Sequence, residues 1–337
     1  MTKKLIKFQF DVIFNNKQLI MRVCLILSIA IILALLTSWG LGSTSSKQST
    51  DEEWIELLKE DAKSTYKYIK EQEAHQNYEG FSWYNEQESR YYAKSATAEY
   101  EYYVATDTYP QYYYNLDSSF ESSYKEFNPA SRIMIWAFLS TMMLFAFAGL
   151  FPLAYTNKKG KYKNLMILGN SAKDIAISEI VVQYVSLIAL WLLFALVGNF
   201  LGIGSHKIMT IQYNNGNACA VPVYSIYVLK EIFALIISMF ILSFSIGMNS
   251  IIKNKLITSI ISISLILVPI FTFMELGSFG LSALNIGIIY FPIINLVMDD
   301  WIIGNYKLIW ISAIYLLLSV IILYAKIYIE NKKGIES

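Results

Sequence analysis

The sequence predicts an all-α polytopic membrane protein with six transmembrane helices, an N-terminal interfacial helix and a mainly helical extracellular insertion between spans one and two. Of its 337 residues, 55% are hydrophobic and only 16% are charged, whereas an ordinary soluble domain is roughly a quarter charged. The apolar residues gather in long runs, and a helix needs about 20 such residues to cross a bilayer. A single water-soluble globule is therefore excluded, and the net charge of +1 gives no field that would attract nucleic acid.

Residues 1–22 form the first predicted element, a cytoplasmic amphipathic helix that lies flat on the inner leaflet. Apolar residues recur there at helical spacing beside three lysines, namely Ile6, Phe10, Ile13 and Phe14 beside Lys3, Lys7 and Lys17. A short disordered basic tail is the alternative. Span one follows at 23–41. The alternative is that residues 1–46 are a cleaved signal peptide, but the apolar run is longer than the core of a usual signal peptide, so we expect this segment to remain as a transmembrane span.

Residues 42–131 are predicted to form an acidic, tyrosine-rich extracellular domain. They contain 17 acidic and 8 basic residues and 14 of the chain's 25 tyrosines. We expect helices at 51–77 and 85–104, the first beginning at a capping box of Thr50 and Glu53. Tyrosine combines a rigid apolar ring with a polar tip. These rings therefore suit either a small core with membrane-interface anchors or a surface that recognises a cationic peptide.

Residues 132–337 supply spans two to six. The predicted crossings are 133–154, 175–203, 232–252, 256–274 and 308–329. A further apolar stretch, the outer segment 276–300, is interrupted by Asn285, Pro292 and Asn295, so we interpret it as re-entrant or interfacial. The number of crossings stays even, and both termini share one side of the membrane.

Lysine and arginine indicate which side that is. With the N-terminus inside, 15 of these residues lie in the cytoplasmic segments, whereas the short outer loops contain only Lys207. Membrane proteins carry their excess of basic residues in cytoplasmic loops. Both termini of this multi-pass protein are therefore expected in the cytoplasm, and the high usage of Ile, Lys, Asn and Tyr favours a bacterial cell membrane.

No catalytic, cofactor-binding or metal site is predicted. The sequence has no phosphate-binding loop, nucleophile elbow or metal motif. His75 and His206 are isolated, and Cys24 and Cys219 lie far apart. The charged residues of the spans fall near the predicted span ends, at Glu179, Lys230, Glu231 and Glu275. An ion- or proton-coupled carrier needs such residues within the membrane, so the energy for any active transport would come from another polypeptide.

Small and hydroxyl-bearing residues mark the packing of the spans. They lie on spans four and five, at Ser243, Ser245, Asn249, Ser250, Thr258, Ser259, Ser262 and Ser264. Such residues suit internal packing or subunit contact, and a water-lined substrate path is the alternative. Gly198 and Gly202 fit the small-xxx-small pattern on span three, where a chance occurrence explains them equally well.

The cytoplasmic loop 157–174 is the most informative stretch. It has a basic stem, a short apolar helix at 165–168, a Gly-Asn-Ser turn and a new helix capped at Ser171. A short apolar helix held on a basic stem is suited to be the binding site of a soluble motor protein. A loop that merely fixes the topology is the alternative.

The whole layout resembles the permease subunits of type-2 ATP-binding-cassette (ABC) exporters. The resemblance covers nearly the full length and includes Tyr290-Phe291-Pro292 in the outer segment. Two departures are Asn170, where a proline is frequent, and Glu179, where a lysine often follows. The resemblance implies an ATPase-coupling segment made of Leu165, Met166, Ile167, Leu168, Gly169, Asn170, Ser171, Lys173 and Asp174.

The resemblance also implies a function. The chain would be the permease that moves a peptide, lipid or drug-like amphipathic substrate outward. Two copies of a cassette ATPase, which bind the ATP and Mg, would supply the energy, and a second permease, identical or related, would complete the path among the membrane lipids. The alternative is a non-transporting sensor or immunity protein that binds a ligand through its extracellular domain. A membrane-embedded enzyme is the third hypothesis.

Overall fold

The computed structural model describes residues 2–14, 60, 63–71, 97, 100, 101, 104, 105, 129–155, 165–203, 209–214, 217–252, 257, 258, 260–262, 264 and 306–336. This part of the chain is almost entirely helical. Its elements are α1 (Thr2–Phe14), α2 (Pro129–Tyr155), α3 (Ala172–Leu201), β1 (Met209–Asn214), β2 (Asn217–Pro222), α4 (Val223–Ile251) and α5 (Tyr306–Glu336). The predicted span at 23–41 and the re-entrant segment at 276–300 lie outside the described residues, as do most of the span at 256–274 and most of the domain at 42–131.

Four of these helices are long and apolar enough to cross a membrane. Their apolar stretches are Arg132–Pro152, Ala172–Leu201, Val223–Ile251 and Ile309–Lys332. The predicted class of a helical, membrane-embedded protein is confirmed, and these four helices account for four of the six expected crossings.

The fourth predicted span is longer than expected. The sequence places its start at 232, whereas α4 already begins at Val223. Lys230 and Glu231 interrupt the apolar run and move the apparent start toward the C-terminus. The helix nevertheless includes them, and both side chains are buried in the bundle.

Helix α4 forms the centre of the described bundle. It packs against α2, α5 and α3, and 61% of its apolar stretch is buried, compared with 22% in α3 and in α5. The core contains large aromatic side chains from four helices, among them Trp136, Phe194, Phe240 and Tyr315. The outer faces of α3 and α5 remain apolar and exposed, as lipid contact requires.

The bundle has two distinct ends. At the loop end, α2 ends, α3 begins and α1 packs against α3. At the hairpin end, α3 ends beside the start of α4 and the strands β1 and β2. Helix α5 reaches the loop end with its C-terminal half, where Lys326 pairs with Glu179.

The Gly198-x-x-x-Gly202 pattern packs α3 closely against its neighbours at the hairpin end. A Cβ atom added at Gly198 would lie 2.8 Å from Cδ1 of Trp136 on α2 and 2.6 Å from the Tyr227 ring on α4. A Cβ atom at Gly202 would lie 3.1 Å from Cγ1 of Ile133. The pattern therefore has a packing role, which the sequence left undecided.

The expectation of an all-α fold is wrong in the loop that joins α3 to α4. Strands β1 and β2 pair there in antiparallel register, with Asn214 opposite Asn217. The two residues between them in the sequence are Asn215 and Gly216, the pair most typical of a two-residue hairpin connection. This signal was present in the sequence and could have predicted the hairpin.

The tyrosine-rich domain is described at a few positions. Residues 63–71 are helical, as are 97, 100, 101, 104 and 105. Tyr66 stacks on Tyr100 with ring centroids 4.6 Å apart, and Ile69 is buried. All of these positions except 105 lie within the two expected helices, and the Tyr66–Tyr100 contact is of the kind a small aromatic core would make.

Candidate functional site

The turn at 165–170, which we call the coupling turn after the role the sequence predicts for it, is closed by short-range hydrogen bonds. The backbone N–H of Gly169 donates to the Met166 carbonyl at 2.9 Å, and that of Asn170 donates to the Leu165 carbonyl at 3.3 Å. Gly169 has a φ of +83°, a conformation that glycine adopts without the steric cost other residues face. The Asn170 side-chain amide donates to the same Leu165 carbonyl at 3.0 Å. A proline at 170 would remove both of the bonds that Asn170 donates.

Ser171 caps α3, as the sequence predicts. Its Oγ accepts a hydrogen bond from the Asp174 backbone N–H at 3.0 Å and donates to the Asp174 carboxylate at 2.7 Å. Asp174 also places a negative charge at the positive end of the helix dipole. Through these contacts the coupling turn continues directly into α3.

The coupling turn has an inner and an outer side. Leu165 is 5% exposed and packs on Leu5 of α1 and Ile175 of α3. Ile167 and Leu168, the outer pair, are 75% and 72% exposed. The sequence predicts one apolar helix that includes both Leu165 and Leu168. In the structure the two differ in exposure, because Leu165 packs against α1 and α3 and Leu168 does not.

Helix α1 supports the coupling turn from behind. Besides Leu5, its Ile6 and Phe10 pack against Phe151 of α2 and Val182 of α3. The lysines of α1 and Lys173 of α3 are exposed. The loop end therefore presents an apolar pair on a braced turn, with basic residues on the two helices that hold it.

A buried carboxylate lies deep in α4, which the sequence did not predict. Glu231 is the ninth residue of the helix and is only 3% exposed. The Ser140 hydroxyl of α2 donates to its Oε1 at 2.5 Å, and the Trp191 indole of α3 donates to its backbone carbonyl at 3.0 Å. Glu231 thus links three helices, whereas hydropathy alone placed it at a span end.

The hydroxyls on span four serve internal packing where they are described. Ser245 donates to the Gly149 carbonyl of α2 at 2.8 Å and accepts from Ser262 at 3.3 Å. Ser243 hydrogen-bonds to Tyr184 of α3. Of the two expected roles for these residues, internal contact is the one these bonds support.

Two charged residues of the membrane-spanning helices form a pair. Lys326 Nζ of α5 lies 3.4 Å from Glu179 Oε2 of α3, and the side chains are 4% and 12% exposed. Glu179 therefore holds the Lys326 ammonium group inside the bundle and away from the lipid headgroups. Its partner is 147 positions away, a distance that local patterns do not bridge.

A metal site finds no support within the described ranges. Those residues contain no group of three or more His, Cys, Asp and Glu side chains that could hold a metal. His75, His206 and Cys24 lie outside them. Comparison with protein-family models, with curated proteins and with solved structures finds no match for this chain.

Proposed function

We propose that this chain is the permease subunit of an ATP-driven ABC exporter and that a separate cassette ATPase binds its coupling turn. The observation that carries the proposal is the outer pair, Ile167 and Leu168, exposed on a turn that Leu165 anchors from within. Exposed apolar side chains on a braced surface are typical of a protein interaction site. Burial of each would contribute roughly 1.5–3 kcal/mol to binding.

The proposed topology has six spans, both termini in the cytoplasm and residues 42–131 outside. It is supported by the distribution of lysine and arginine. It is also supported by the bundle, since α1, the coupling turn and Lys326 all lie at the loop end. The loop end is then the cytoplasmic end, where a soluble ATPase has access.

The partners follow from this arrangement. Two ATPase copies, holding ATP and Mg, would serve two permeases, identical or related, in a bacterial cell membrane. We expect the ATPase to offer an apolar groove with an acidic rim, which complements the outer pair and Lys173. The substrate class we propose is a peptide, lipid or drug-like amphipathic molecule.

The coupling turn suits the transmission of movement. Because Ser171 caps α3 and Leu165 packs on Ile175, displacement of the turn moves the start of α3 with it. Helix α3 contacts α2, α4 and α5. A push from the ATPase can therefore tilt packed helices as rigid bodies, which is a common form of conformational change.

The test is co-purification from the membranes of the native host. Tagged wild-type protein should elute with a cassette ATPase, identified by mass spectrometry and by Mg-dependent ATP hydrolysis. The double variant Ile167→Asp/Leu168→Asp should lose the ATPase by at least tenfold at unchanged abundance, because the outer pair makes no core contact. Val104→Asp, at a 60% exposed position of the tyrosine-rich domain, is the matched control and should retain it.

Two results would contradict the proposal. One is an ATPase that remains bound to the double variant, which would leave the loop a topological anchor. The other is a wild-type protein that elutes without an ATPase and binds a cationic peptide through residues 42–131, which would favour the sensor or immunity function.

A further inference from the structure

The Lys326–Glu179 pair connects α5 to α3 inside the bundle. Its side chains are nearly buried, and both residues lie within the apolar stretches of their helices. A buried charge is stable only while it is paired or hydrogen-bonded. Any movement of α5 along α3 must therefore offer Lys326 another partner.

Gln183 is such a partner. It follows Glu179 by four residues on α3, so it lies on the same face of the helix, one turn closer to the hairpin end. Its side chain is fully buried, and neither its amide oxygen nor its amide nitrogen has a hydrogen-bond partner within the described residues. A buried amide without partners is unfavourable, so a donor brought within reach of this side chain would stabilise it.

Lys326 has the chemistry to exchange between the two positions. Its ammonium group carries three donors on a flexible stem, and Glu179 is the partner it has here. Four residues of helix correspond to about 6 Å along the axis. A shift of α5 by one turn toward the hairpin end would bring Lys326 from the Glu179 carboxylate to the Gln183 amide oxygen.

We propose that Glu179, Gln183 and Lys326 form a two-position latch between α3 and α5. Lys326 binds Glu179 in the position described here and Gln183 in a second position, one helical turn away. The carboxylate favours the first position, so the second is the minor one at rest. That an ATPase drives the exchange rests on the proposed function, because α3 begins at the coupling turn, whereas the latch is a property of the permease alone.

The test exchanges the two partners while keeping the composition. In the variant Glu179→Gln/Gln183→Glu the carboxylate moves one turn toward the hairpin end, and α5 should follow it. Spin labels at Lys173, at the loop end of α3, and Trp310, at the opposite end of α5, lie roughly 30 Å apart by helical rise. Both positions are exposed, and the labels require a background without Cys24 and Cys219.

Pulsed electron spin resonance on the purified protein in lipid nanodiscs should show, in the wild type, one main distance and a minor distance about 6 Å longer. The exchange variant should show a main distance about 6 Å longer. Adding Lys326→Met should abolish the difference between the two backgrounds, because the group that follows the carboxylate is gone. An unchanged distance in the exchange variant would overturn the latch.

A milder variant keeps the proposal testable if the exchange variant does not fold. Gln183→Leu preserves the volume and removes only the second partner. It should eliminate the longer distance of the wild type, and persistence of that distance would overturn the latch. Both measurements use the permease alone, so a failure to find an ATPase contradicts the proposed function and leaves this result independent.

Discussion

At the hairpin end, two indole side chains bond to the backbone of a neighbouring helix, whereas near the loop end an ion pair between two side chains joins α3 to α5. Trp136 and Trp191 donate to the carbonyls of Phe194 and Glu231 at 2.9 and 3.0 Å. Lys326 and Glu179 meet only through flexible chains. A backbone carbonyl is fixed by its helix, so the two indole bonds hold one arrangement, whereas an ion pair between two flexible side chains can be exchanged. We therefore expect the indole bonds to contribute to stability and the Lys326–Glu179 contact to allow movement.

The largest effect should come from filling the close contact at the hairpin end. Gly198→Leu would push a side chain into Trp136 and the Tyr227 ring, and overpacking of this kind costs about 3 kcal/mol. The midpoint of thermal unfolding in detergent should fall clearly. Leu196→Val, a conservative change at a 66% exposed position two residues away, should leave it nearly unchanged. A Gly198→Leu protein as stable as wild type would mean that this end is not closely packed.

A smaller loss of stability should follow removal of one hydrogen bond there. Ser140→Ala leaves the Glu231 carboxylate without the donor that binds it at 2.5 Å, and an unsatisfied buried acceptor costs about 2 kcal/mol. Ser186→Ala serves as the control, because the Ser186 hydroxyl donates to the Val182 carbonyl of its own helix and does not link two helices. Chemical denaturation should rank Ser140→Ala well below Ser186→Ala. Equal stabilities would remove the basis for treating Glu231 as a link between helices.

The smallest effect on stability is expected at the loop end. Ser171→Ala removes the cap of α3 and should lower the free energy of unfolding by about 1 kcal/mol. It should also reduce the substrate-stimulated ATP hydrolysis of the proposed partner ATPase, because the coupling turn loses its rigid connection to α3. Ser171→Asp keeps a capping oxygen and should restore both properties. Hydrogen exchange at the first turn of α3 gives an independent measurement. Loss of stability without a change in coupling would show that the loop end is only structural.

The sequence predicted features that depend on neighbouring residues. Runs of apolar residues predicted the membrane-embedded class, and Ser171 predicted a helix start, because a cap depends on residues within the first turn of the helix. The hairpin was not predicted, although Asn215 and Gly216 signal it through neighbouring residues in the same way. The domain at 42–131 and two of the six spans remain predictions.

The coupling turn was only partly predictable. Its residues and its position between two helices follow from the sequence, and so does its apolar character. The different roles of Leu165 and Leu168 do not, because they depend on where Leu5 of α1 packs. A single amphipathic pattern shows that one side of a segment is apolar, and it does not show which neighbour covers that side.

What the sequence determined by itself is therefore local: which segments are helical, which are long enough to cross a bilayer, and where α3 is capped. The tertiary structure decided how the helices face each other. Glu231 meets Ser140 over 91 positions and Lys326 meets Glu179 over 147. A charged side chain in the membrane carries a free-energy cost that hydropathy scales include, but partners on other helices offset this cost. Their identity depends on the rotation of each helix about its axis, which only packing fixes.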